Sequence, residues 1–306
     1  MRSMVALLAA ILALAAPGCG KDGAEPGASH EATVVLDFTP NAVHAGLYAA
    51  LERGYFAEAG IDLKVRAPGD STDAPKLLEA GRTEFAVLDI NDFGLARDRG
   101  LDLTAVAALV QVPLAAVIAG DRERVGRPSD LEGLEVGVTG LPSDDLVLDA
   151  IMAADGGDPG AVERITIGFD SVAALAAERV DAATAFWNAE GVALRELGVP
   201  TREFRVGGRA ARPFPELVVV ARADLPQEEP GLVAGLRAGV ERGYELAADD
   251  PDAALAALVE AVPGLDEDVM RAQMEALSAA DAFAAGVRPG TIEPRRVANW
   301  RRFARD

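Results

Sequence analysis

Three polar residues, Asp37, Asn41 and His44, cluster in LDFTPNAVH (36–44), where an apolar run gives way to a helical pattern. A carboxylate, an amide and an imidazole at such a junction supply donors and acceptors to a cleft floor. Asp37 and Asn41 could equally satisfy backbone groups of the turn, with His44 a structural residue of the core. Two more polar groups follow apolar runs: Asp89-Ile90-Asn91 and Trp187-Asn188-Ala189-Glu190. A fourth stretch, VGVTGLPSDD (136–145), holds Thr139 in a glycine-rich turn and predicts Ser143 as the N-cap of a helix, whose free amides could hold an anion or a polar group. The chemistry this supports is binding. With only His30 and His44, and Cys19 as the sole cysteine, no cluster of metal ligands forms, and a Ser-His-Asp device would have to rest on His44. There is no GxSxG and no P-loop, and no cofactor or metal is expected.

The elements that must position these residues alternate. TVVLDF, IDLKVRA, FAVLDI and LTAVAALV read as strands separated by amphipathic helices, and the rhythm restarts after Asp121 with LEVGVTG, ERITIGF, DAATAF and TREFRV. Such alternation predicts α/β units on largely parallel sheets. An internal echo links LLEAGRTEFAVLD (77–89) to LAAERVDAATAF (175–186): helix end, turn, Arg, acid, strand. Each strand runs out into one of the polar groups, and ligands of open α/β sheets bind beyond the carboxyl ends of strands. QVPLAAVIAG (111–120) and FPELVVVA (214–221) read as crossings between two lobes, and the helical remainder from Glu228 returns to the first lobe. The expected limits are 32–115 plus 217–306 for lobe 1 and 116–216 for lobe 2. In the first helix, Thr39 is expected as N-cap and Pro40 as first helical residue, with Tyr48 on its apolar face.

The N-terminus, MRSMVALLAAILALAAPGCG, has one Arg, an apolar run from Met4 to Ala16 too short to span a bilayer, and small residues ending at Cys19, the pattern of an export signal over 1–18. Ala16-Pro17-Gly18-Cys19 is similar to a lipoprotein cleavage box, although such boxes usually carry Leu, Val or Ile where Ala16 stands. Residues 19–31 read as a lipidated Cys19 and a flexible tether that includes a solvated His30. The protein is therefore expected outside the cytoplasm, on the periplasmic or extracellular face of the envelope and anchored to membrane. The 306 residues carry 29 Lys+Arg against 49 Asp+Glu, a net charge of −20, and no basic run offers a footprint for nucleic acid.

LDFTPNAVHAGLYAALERGYFAEAGIDLKV resembles the N-terminal signature of the NMT1/THI5-like proteins, and LEAGRTEFAVLD, DLEGLEVGVTGLPSDD, VDAATAFWNAEGVAL and PELVVVAR continue the resemblance over most of 33–222. It implies a type II periplasmic-binding-protein fold, two α/β lobes with two crossover strands and a ligand cleft between them. It further implies the substrate-binding component of an ABC importer, a monomer that carries a thiamine-precursor aminopyrimidine, of hydroxymethyl or formylamino type, to a permease and ATPase complex. On that resemblance Asp37, Asn41 and His44 line one wall, and Trp187, Asn188 and Glu190 the other. Asp89 and Thr139 join them at strand ends. A Glu190 carboxylate can accept from an exocyclic amine, and Trp187 or Tyr48 can stack on the ring. Core packing for Trp187 and a solvated helix-start role for Glu190 are the structural alternatives. Phe38 stands where the family commonly has Trp, keeping an aromatic face and losing the indole donor. Related binders of aliphatic sulfonate, nitrate or another small solute are the alternative, which Glu190 disfavours. A pyrimidine synthase like the eukaryotic members is a further alternative, disfavoured because those proteins carry a cysteine-rich motif and a cofactor lysine, whereas this body has no cysteine and the only lysines are Lys21, Lys64 and Lys76.

Overall fold

The structure, a computed structural model, describes residues 30–120, 123–206 and 212–305. The expected signal, Cys19 and nearly all of the expected tether lie outside them. Two five-stranded mixed sheets organise the chain. The first contains β1 (His30–Val35), β2 (Ile61–Arg66), β3 (Phe85–Asp89), β4 (Leu103–Ala108) and β10 (Leu217–Arg222) in the order β2-β1-β3-β10-β4. The second contains β5 (Ala115–Ala119), β6 (Glu135–Val138), β7 (Glu163–Thr166), β8 (Ala182–Phe186) and β9 (Arg202–Arg205) in the order β7-β6-β8-β5-β9. The two orders match position for position. In each sheet the first three strands are parallel, and the fourth, β10 or β5, is antiparallel to both neighbours.

Residue pattern accounts for the placement. AAVIA of β5 and LVVVA of β10 are apolar and buried between helix layers, as central strands require, with only Arg222 at the end of β10 reaching out, whereas IDLKVR of β2 alternates buried and exposed residues at a sheet edge. The two passages expected as crossings thus hold the strands β5 and β10, and among the described residues the chain passes between the lobes just before each strand, at 109–114 and 212–216. The crossings lie side by side: Glu216 N donates to Val110 O at 3.0 Å and Leu109 N to Leu217 O at 2.8 Å. His30 belongs to β1 rather than to a tether, because its N–H donates to Gly60 O at the start of β2.

The internal echo is one structural unit used twice. Glu84 Oε2 accepts from Thr33 N of β1 at 2.8 Å, and Asp181 Oδ2, at the same place in the second sheet, accepts from Glu135 N of β6 at 3.0 Å. The preceding turns match as well, with Gly81 at φ 63° and Glu178 at φ 52°. Only glycine adopts that conformation without a Cβ clash. Glu178→Gly should therefore stabilise the protein by roughly 0.5 kcal/mol, the relief of left-handed strain less the added freedom of the unfolded chain, and Gly81→Ala should destabilise it by about 1 kcal/mol. Urea unfolding of both variants checks the opposite signs.

The long helix Pro230–Asp249 packs against Ala45–Glu52, and Pro251–Ala261 closes over the same helix. The following helix, Glu267–Ala279, does not return to the first lobe alone. Its Gln273 accepts from Ala42 N at 3.3 Å and donates to Ala189 O of the second lobe at 3.4 Å. Pro294–Phe303 packs beside Asn91, whose Oδ1 accepts from Trp300 Nε1 at 2.7 Å.

Candidate functional site

Between the carboxyl ends of β3 and β8 lies a cavity of ≈ 100 Å³ walled by both lobes. Asp37, Phe38, Asn41, Ser71, Asp89 and Asp92 face it from the first lobe, and Thr139, Asp144, Phe169, Thr184, Phe186 and Glu190 from the second. Of the residues singled out from sequence, Asp37, Phe38, Asn41, Asp89, Thr139 and Glu190 come together here.

The loop after β1 is organised by Asn41, which caps a 3-10 turn over Ala42–His44. Asn41 Oδ1 accepts from Val43 N at 3.1 Å and its Nδ2 donates to Thr39 O at 3.0 Å, so Asn41 and not Thr39 is the cap, and Pro40 lies before the helical turn. His44 does not reach the cavity. It is fully buried behind Asp37, its Nδ1 accepting from Asn41 N at 3.2 Å. With Nδ1 thus an acceptor, Nε2 carries the ring proton and donates to Asp37 Oδ1 at 2.9 Å. His44 therefore holds Asp37 in place and leaves its other oxygen to face the cavity.

Tyr48, Trp187 and Asn188 also lie outside the cavity. Tyr48 is buried in the packing of helix Ala45–Glu52. Trp187 staples the end of β8 to the first crossing: Nε1 donates to Pro113 O at 3.0 Å, and the Arg205 guanidinium covers its ring at 4.2 Å. Asn188 is fully buried. The turn after β8 directs Ala189 and Glu190 into the cleft and Trp187 and Asn188 away from it. Aromatic faces come instead from Phe38, Phe169 and Phe186, with Phe38 and Phe169 meeting edge to face across the lobes at 4.5 Å and 74°.

The electrostatics are dominated by carboxylates. Glu190 begins helix Glu190–Glu196 and its Oε2 accepts from Phe186 N at 3.1 Å, yet burial outweighs these donors and pushes its pKa up to about 7. Asp92 is pushed to about 8, first by burial and then by the Asp89 charge. Asp89 is raised well above the carboxylate range by burial and by Glu216, a buried acid whose Oε2 accepts from Leu114 N at 2.6 Å in the first crossing. Burial raises Asp144 as well, against three donors: Thr139 Oγ1 at 2.7 Å, Gly140 N at 3.1 Å and Thr184 Oγ1 at 2.6 Å. None of the lining residues is Lys, Arg or His.

Asp92, Asp144, Phe169 and Glu216 carry no distinguishing pattern in the chain. Asp92 sits one residue beyond the polar group ending β3, and only the contact between lobes gives it meaning. Ser143 is not an N-cap: Pro142, which has no N–H to satisfy, takes the first helical position, Leu141 precedes it, and Ser143 is the second residue of helix Pro142–Ala154.

The model of the NMT1/THI5-like family matches residues 41–254. Over 258 residues the chain is 33% identical to the formylaminopyrimidine-binding protein of Halalkalibacterium halodurans, covering 84% of this chain and 78% of that one. It is 24% identical over 236 residues to the 4-amino-5-hydroxymethyl-2-methylpyrimidine phosphate synthase of Legionella pneumophila, covering 76% and 74% of the two chains. Among solved structures, the periplasmic aliphatic sulphonate binding protein of Escherichia coli superposes with a TM-score of 0.68 at 14% identity, covering 90% of this chain and 91% of that one, so the two-lobed architecture is the periplasmic-binding-protein fold. From the match over 41–254 and the relative at 33% identity, the chain belongs to the NMT1/THI5-like family.

Proposed function

We infer that the protein is the substrate-binding component of an ABC importer, that it captures a thiamine-precursor aminopyrimidine, and that it hands this ligand to a permease without chemical change. The observation that carries the reading is the cavity wall: five carboxylates, Asp37, Asp89, Asp92, Asp144 and Glu190, with three phenylalanines and no cationic side chain among the lining residues. Such a wall favours a planar, donor-rich solute. A sulfonate or nitrate would find no cationic side chain in the wall to balance its charge and would oppose every acid there that ionises, so the anion-binder alternative loses its footing despite the shared fold. A neutral Glu190 presents an O–H and a C=O side by side, which matches the ring nitrogen and exocyclic amine of an aminopyrimidine; the oxygen of Asp37 that His44 does not hold can accept from a further amine hydrogen. Against an enzymatic role, the body's buried histidine is committed between Asn41 and Asp37.

In this reading the lobes, 32–115 with 217–306 and 116–216, swing about the crossings as a monomer, and lipidation of Cys19 holds the protein at the envelope near its permease and ATPase. Replacing Cys19 by Ser should release it from membranes into the soluble fraction. Calorimetric titration with a formylaminopyrimidine, hydroxymethylpyrimidine and taurine tests the ligand class: binding of either pyrimidine and not taurine is expected, and the reverse order would overturn the reading. Loss of the Glu190 contact in Glu190→Ala should weaken pyrimidine binding by about 1.5–3 kcal/mol, roughly 10- to 150-fold. Glu190→Gln, which reproduces the neutral acid's donor and acceptor, should retain most of the affinity at pH 6.

A further inference from the structure

Helix Pro142–Ala154 starts without a capping side chain of its own, since Leu141 holds the cap position. The missing acceptor comes from the opposite lobe. Asp92, in the first turn of helix Ile90–Asp98, accepts from Ser143 N through Oδ1 at 3.2 Å and from Ser143 Oγ through Oδ2 at 2.9 Å. Both residues are buried. Beside them Ser71 Oγ donates to Thr139 O at 3.0 Å, again from one lobe to the other. We propose that Asp92 is the latch of the closed cleft, a first-lobe carboxyl that caps the second lobe's helix in trans and holds the lobes together whatever the cleft contains.

The latch is linked to protons. The groups facing Asp92 are Asp89 on its own element and Asp144 and Ser143 on the opposing helix; the nearby Asp145 is turned away to Arg164 at 2.8 Å. Two acids and burial oppose the ionised form, which is why Asp92 holds its proton up to about 8 in the closed arrangement. Opening returns the carboxyl to water and to its ordinary range. Closure therefore takes up a proton, is favoured below that value and weakens as pH rises through it. The closed form still accepts from Ser143 N when Asp92 is neutral, because a protonated carboxyl keeps acceptor capacity.

The test needs no ligand, so it is independent of what the cleft binds. In the full-length protein, small-angle scattering reads lobe opening and amide hydrogen exchange reads Ser143 N. The wild type should be compact with a protected Ser143 amide at pH 6, and should expand and lose that protection between pH 6 and 9. Asp92→Ala should be expanded at pH 6 with Ser143 exchange faster by roughly tenfold or more. Asp92→Asn should stay compact at both pH values. Ser143→Ala, which keeps the fold-forming backbone, should be partly expanded. Equal compactness and equal Ser143 exchange in wild type and Asp92→Ala would overturn the proposal, as would a wild-type Ser143 amide that exchanges as fast as the variant's at pH 6, or an Asp92→Asn protein that expands with pH as the wild type does.

Discussion

Raising the pH from 5 to 8 should lower the stability of the ligand-free protein by on the order of 2 kcal/mol, a fall in Tm of roughly 4 °C. The sign follows from the cleft acids. Glu190 at about 7 and Asp92 at about 8 hold protons in the folded protein that the unfolded chain has already released above its ordinary carboxyl range, so the native state binds more protons between these limits and loses stability as pH climbs through them. Asp89, Asp144 and Glu216 are raised as well and act in the same direction. The opposing groups are Asp155, which Arg127 and Ser129 N hold at about 2, and Asp70, which hydrogen bonds from Thr72 hold below its ordinary range; their contributions are complete by pH 5 and do not change above it. The expected magnitude is well below the sum of the individual shifts, because Glu190 and Asp89 retain contact with solvent at the cavity mouth. The Asp92→Asn, Glu190→Gln double variant removes two of the titrating groups and should flatten the profile, with a higher Tm than wild type at pH 8. A wild-type Tm that is constant or rises between pH 5 and 8 would mean that these carboxyls ionise in the fold at no cost. A donor-rich ligand that neutralises the cleft should reduce the same slope, which ties the stability profile to binding.

The alternation of apolar runs and amphipathic stretches was enough to place β1 to β4 and β6 to β9, because each is short and either apolar or alternating, whereas β5 lay inside a passage read as a crossing. The repeated Arg-acid turn was readable for a physical reason: Glu84 and Asp181 do the same work, each accepting a backbone N–H from the neighbouring parallel strand. Half the site was readable too. Asp37, Asn41, Asp89 and Glu190 lie at strand ends, where the topology alone directs polar groups to the cleft. What failed was side-chain direction within those turns. Trp187 and Asn188 sit in the same polar group as Glu190, yet the backbone turn sends them behind the wall. His44 is local in sequence to Asp37 but is taken up by a capping box with Asn41, an arrangement that depends on two dihedral angles no pattern encodes. Asp92 and Phe169 were invisible because their partners, Ser143 and Phe38, come from the other lobe.

Gly243→Ala should destabilise the protein by about 3 kcal/mol and weaken ligand binding with it. Helix Pro230–Asp249 crosses helix Ala45–Glu52 with backbones nearly in contact. A Cβ at residue 243 would overlap the carbonyl oxygen of Gly46 and lie 2.8 Å from Ala50 Cβ. Neither neighbour can rotate away, since one is backbone and the other a methyl held by its own helix, so the helices must separate. Gly46 is in turn closed off by the Tyr244 ring, 2.7 Å from where its Cβ would stand. Separation would be felt at the cleft because Tyr244 OH donates to Val43 O at 2.8 Å, gripping the turn in which Asn41 and His44 hold Asp37. A shift of that turn moves an acceptor oxygen in the cavity wall although residue 243 is remote from it. The same substitution in the same helix at Gly231, where a Cβ would meet nothing, should be neutral or stabilising by up to about 1 kcal/mol through helix propensity. Urea unfolding and calorimetric titration of the two variants separate the effects: close approach predicts opposite signs at 243 and 231, and equal changes at the two positions would show that backbone freedom, not packing against Gly46, is what glycine supplies there.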